Sequence, residues 1–153
     1  METNAFGTVR LDDGQATLPV GPGVLRPVGL DFLATVQDRP KMEAAATFID
    51  TLSKHVETVR VAFLDGYDSI AANVPAWLHE NAPAAYAALF PDTPNPADIT
   101  PAQLWDSLDM TAIWSRDDGI VTIAFGFHEV DVPRSFAAEF QLDGALQRVA
   151  FVA

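Results

Sequence analysis

The chain has 153 residues, 49% of them hydrophobic and 10% aromatic, the size and composition of one globular domain. Its 9 basic and 21 acidic side chains give a net charge of −12, which repels phosphate backbones and anionic membrane surfaces, so neither nucleic acid nor a membrane is expected as a partner. It has no cysteine, and this excludes disulfides, thiolate metal sites and cysteine nucleophiles. No stretch approaches the roughly 20 apolar residues of a membrane helix. Met1-Glu2-Thr3-Asn4 carries no basic segment running into an apolar one, so a single cytoplasmic domain spanning 1–153 is the expectation.

Thr8-Val9-Arg10-Leu11 and Gln15 to Val20 are extended-type runs on either side of Asp12-Asp13-Gly14, which predicts an N-terminal hairpin. Gly21-Pro22-Gly23 breaks that pattern, and Val28, Leu30 and Phe32 recur at period two as a third strand. Asp38 caps a helix whose first turn accommodates Pro40. From there Met42, Ala45, Ile49, Leu52, Val56, Val59 and Phe63 follow spacings of three and four, flanked by Phe48 and Ala62, and this is the most regular periodicity in the chain. Glu43, Asp50 and Glu57 form a solvated stripe on another face. Thr51-Leu52-Ser53 fits either a continuous rod or a break into a helix pair within the stretch 39 to 73. Gly66 weakens the distal end, and Pro75 disfavours a helical Val74.

Pro75 and Pro83 lie close to the starts of short helical runs, the second being Ala84 to Phe90, and Pro91 to Pro96 is a stiff loop with three prolines. Thr100-Pro101-Ala102-Gln103 is a capping box that opens a helix through Leu108. Met110 to Ser115, Ile120 to Phe127, Ser135 to Leu142 and Ala145 to Val152 then alternate as strands, joined at Asp117-Asp118-Gly119 and Asp143-Gly144. The expected fold is therefore α+β. In it an antiparallel sheet of about six or seven strands, N-terminal hairpin plus C-terminal meander, packs against a long central helix or helix pair, with additional short helices.

No enzyme motif emerges. His55, His79 and His128 are dispersed without metal-ligand spacing, the Asp-Asp-Gly triplets lack the rest of a calcium loop, and neither a nucleophile elbow nor a phosphate loop is present. No cofactor or metal is expected, and a paired-carboxylate site cannot be chosen without geometry. The distinctive feature is charge placement: residues 61–115 contain no lysine or arginine but hold Asp65, Asp68, Glu80, Asp92, Asp98, Asp106 and Asp109, together with Trp77, Trp105, Trp114, Tyr67 and Tyr86. Acids interleaved with aromatics suit the stacking and pairing of a partner's Arg and Lys side chains.

Phe6-Gly7, the helical run through Phe48, Ile49, Leu52, Val59 and Ala62 to Tyr67, Ile123-Ala124-Phe125-Gly126-Phe127 and Asp143-Gly144 together resemble a group of small bacterial cytoplasmic domains of unknown function. Some similar domains resemble immunity-type proteins, and the resemblance implies a fold without catalytic residues. The expectation is a non-catalytic protein-binding module, immunity-type in one version, that meets a basic protein through Asp65, Tyr67, Asp68, Trp105, Asp106 and Asp109. The alternative is a small-ligand-binding or enzymatic α+β domain with an apolar pocket, for which Trp114, His128 and an Asp are the candidate lining. A third is self-association into a homo-oligomer through a sheet edge or the helices from Val74 to Phe90.

Overall fold

The computed structural model describes residues 2–3, 7–8, 15–21, 24–30, 39–115 and 119–152, with side chains from residue 43 onward apart from 45, 49 and 115. The chain is α+β. Two short strands, β1 (Glu2–Thr3) and β2 (Gly7–Thr8), pair with each other. Next come β3 (Gln15–Gly21) and β4 (Val24–Leu30), then the helices α1 (Arg39–Asp50), α2 (Leu52–Asp65), α3 (Tyr67–Ile70), α4 (Val74–Asn81), α5 (Pro83–Leu89) and α6 (Pro101–Asp106). The strands β5 (Leu108–Ser115), β6 (Ile120–Phe127), β7 (Ser135–Gln141) and β8 (Leu146–Val152) close the chain.

An antiparallel sheet of six or seven strands does not form. The continuous antiparallel sheet has four strands, β5 to β8, in sequential order, and the β3–β4 hairpin joins its edge in parallel, through Val28 opposite Ile113 and Leu30 opposite Ser115. The cause is the connection. The whole helical segment intervenes between β4 and β5, and a long crossover can set two neighbouring strands parallel, as a tight hairpin cannot. The first hairpin is also displaced from the expected one. β3 pairs with β4, Gly21 opposite Val24, while Thr8 pairs with Glu2. Arg10, Asp12-Asp13-Gly14, Phe32, Asp38 and Asp117-Asp118 lie outside the described residues, as does Phe6.

The long apolar stripe is carried by a helix pair. Thr51, at φ −104° and ψ 23°, separates α1 from α2. Its hydroxyl donates to the Thr47 carbonyl at 2.9 Å, the back-bonding by which threonine bends a helix, and also meets His55 Nε2 at 3.0 Å. Two further helices start on proline, at Pro83 and Pro101, and α4 has Pro75 at its second position, where a missing N–H costs nothing.

The helices pack Leu52, Val59, Phe63, Leu78 and Leu104 on the sheet face formed by Ile113, Val121, Ile123, Phe125, Phe136, Ala138 and Phe140. Phe63 is fully buried and meets Phe136 edge-on at 5.2 Å, which ties α2 to β7. His55 is buried too, stacked on Phe48 at 4.1 Å and tilted against Phe140 at 5.3 Å. Gly144, at φ 96° in the β7–β8 turn, lies so close that a Cβ there would stand 2.9 Å from His55 Cε1. Both the backbone conformation and the approach therefore require glycine.

Candidate functional site

Phe63 organises the region that the sequence singles out. Its buried ring lies 5.9 Å from Tyr67 in α3 and 5.3 Å from Trp105 in α6, and Trp105 also tilts against Phe125 at 5.4 Å. Tyr67 and Trp105 are each half-buried, with one part of the ring in the core and the rest at the surface. Burial raises the Tyr67 pKa, and Asp68 adds to the rise, so the phenol stays protonated as a donor.

Around this pair Asp65, at the end of α2, Asp68 in α3 and Asp106 in α6 are exposed. They do not share one environment. Asp68 lines a cavity between α3, α4 and β8, Asp106 lines a separate cleft beneath α5, and Asp106 also adds to the field on Arg60. Arg60 is occupied mainly by Glu57, through hydrogen bonds of 2.6 and 2.9 Å. Arg148 pairs with Glu139 on the neighbouring strand.

Asp109 has a role the sequence did not indicate. Register places it opposite Gly126 at the start of β5, and the chain leaves β6 so that His128 Nδ1–H donates to Asp109 Oδ2 at 2.5 Å. That hydrogen bond raises the His128 pKa, and the charges of Asp109 and Glu129 reinforce it. Glu129 follows at φ 55°, a left-handed conformation uncommon outside glycine, and its carboxylate reaches 3.6 Å from His128 Nε2. His128 also borders the cleft, about 440 Å³, that runs past Phe90, Asp92, Thr93 and Asp106. Trp114 is elsewhere, opposite Thr122 in the middle of the sheet. Among the described residues no group of three or more His, Asp or Glu is placed to share a metal ion.

A second arrangement escaped the sequence altogether. The Arg134 guanidinium lies 4.2 Å from the Phe151 ring and 5.1 Å from Trp77, and those two rings meet edge-on at 5.4 Å. These contacts join the loop before β7, the end of β8 and α4, three segments far apart in the chain. Local periodicity carries no signal for such a cluster. No helix among the described residues is long and apolar enough to cross a membrane.

No protein-family model, curated protein or solved structure matches the chain.

Proposed function

We propose that the protein is a non-catalytic binding module for a basic protein, and that its contact surface centres on Tyr67 and Trp105 with Asp65, Asp68 and Asp106 around them. The observation that carries this reading is the shared anchoring of Tyr67 and Trp105 on Phe63. Two aromatic rings from different helices, held rigidly from below and partly open above, provide contact area at little entropic cost. The flanking carboxylates supply steering and pairing for cationic side chains, while Asp109 is engaged by His128 and contributes less.

The immobilised protein, exposed to native lysate, is expected to retain a basic protein at low salt and release it as NaCl approaches about 0.5 M. Trp105→Ala and the double variant Asp65→Asn/Asp68→Asn lose the captured protein. Asp143→Asn keeps it, because Asp143 adjoins Gly144 beside His55, near the opposite end of α2 from Asp65. Capture that ignores both salt and these substitutions refutes the proposal.

A further inference from the structure

The cavity between α3, α4 and β8 has a volume of about 370 Å³, within the range of pockets that enclose small organic molecules. Its walls are apolar on one part, from Val74, Trp77, Val149 and Phe151, and polar on the other, from Asp68, Ser69 and Asn73, and its one cation is Arg134. In a chain with 21 acidic side chains, a lining arginine that is not ion-paired is informative. Arg60 has Glu57 and Arg148 has Glu139, whereas Arg134 has no acidic partner among the described residues.

Its hydrogen bonding is incomplete in a specific way. Arg134 Nη2 donates to the Phe151 carbonyl at 3.0 Å, and the buried Nε–H has no acceptor. A guanidinium carries five donors in a rigid planar fork. With Nη2 tethered and the plane held over Phe151 and beside Trp77, the fork's orientation is fixed before any ligand arrives. Asn73, which also lines the cavity, sits at the N-cap position of α4 but makes no capping hydrogen bond with its side chain, so its amide is available as a second polar contact.

We infer that this cavity binds a small monocarboxylate with an apolar body, its carboxylate on Arg134 and Asn73 and its body against Trp77 and Val74. With Nε buried and one Nη2 proton on Phe151, the end of the guanidinium, Nη1 with the second Nη2 proton, is left to meet a carboxylate in two parallel hydrogen bonds. A phosphate is the poorer match, because a dianion would meet a single cation and the Asp68 carboxylate lines the same cavity. This assignment does not rest on the Tyr67–Trp105 surface, although Asp68 borders both.

The test uses the full chain labelled with ¹⁵N and titrated with benzoate, with benzamide as the neutral probe of equal shape and inorganic phosphate as the competing anion. Benzoate is expected to shift the amides of residues 71–74 and 149–151 saturably, with benzamide at least about tenfold weaker and phosphate without saturation. Arg134→Met should lose at least about tenfold in benzoate affinity. Because that substitution also removes a packing contact, Asp68→Asn serves as a second variant: losing a carboxylate from the exposed lining should tighten benzoate binding and leave the fold intact. Several results would overturn the assignment: no saturable shift at those amides, equal binding of benzamide, saturation by phosphate instead, or benzoate affinity indifferent to both substitutions.

Discussion

Two histidines illustrate opposite couplings between protonation and structure. His55 is buried, and its pKa is lowered first by that burial and then by Lys54. An unfolded His55 titrates near 6.5, so below that pH the unfolded chain binds more protons than the folded one, and stability is lost as pH falls toward the depressed folded value. Denaturant midpoints are expected to decline from pH 7 to about pH 5, and His55→Phe should flatten the slope in that window; an unchanged slope would assign the decline to carboxylates. His128 runs the other way. Its raised pKa means that its pairing with Asp109 is complete below 6.5 and fades as pH rises through the folded value. In Asp109→Asn the ring should titrate at lower pH, back toward 6.5, which side-chain NMR reads directly. A titration unmoved by that change would mean that the 2.5 Å contact does not persist in solution. The His128 pairing was not legible in the sequence, where Asp109 and His128 stand in different elements and only the β5–β6 register brings them together.

Elements whose causes are local could be read from the sequence, and those whose causes are distant could not. The capping box is the clearest case: Thr100 Oγ1 accepts from the Gln103 backbone N–H at 3.1 Å, and the Gln103 side chain accepts from the Thr100 N–H at 2.9 Å. Every partner lies within four residues, so the motif and the geometry coincide. Thr100→Ala should cost about 1 kcal/mol by removing the side-chain acceptor at the start of α6. Urea midpoints measure that cost, and a change near zero would mean that Pro101 alone is enough to start the helix. The bend at Thr51 was half legible, since the three residues there suit a cap or a continuation equally, and the back-bond to Thr47 together with the His55 contact decides it. Strand pairing at the N-terminal end was the least legible. Asp12-Asp13-Gly14 and Gly21-Pro22-Gly23 are both good turn sequences, and the observed pairing of β3 with β4 and of β4 with β5 includes a contact across the entire helical segment.

At the scale of the whole molecule the question is whether the −12 charge is dispersed, paired or concentrated. The segment 61–115 brings no cation of its own, and the three arginines with described side chains are engaged elsewhere: Arg60 on Glu57, Arg148 on Glu139, and Arg134 on Trp77 and Phe151. Among the described residues, Asp109 is the one of Asp65, Asp68, Asp106 and Asp109 that forms an ion pair, with His128. The surplus is therefore carried by exposed carboxylates such as Asp65, Asp68, Asp92 and Asp106, which repel one another in the folded state more than in the expanded chain. Screening should relieve that repulsion. Raising NaCl from about 10 mM, where fields extend roughly 30 Å, to 0.15 M, where they extend roughly 8 Å, should stabilise the fold by about 1 kcal/mol and lift the thermal midpoint by roughly 2–4 °C. The same salt should weaken a basic partner held on the Tyr67–Trp105 surface. Self-repulsion thus makes the two responses opposite in sign, stability rising while affinity falls. A midpoint that drops on adding salt would show that attractive pairs dominate the surface field, and the exposed carboxylates would then have little charge left over for a partner.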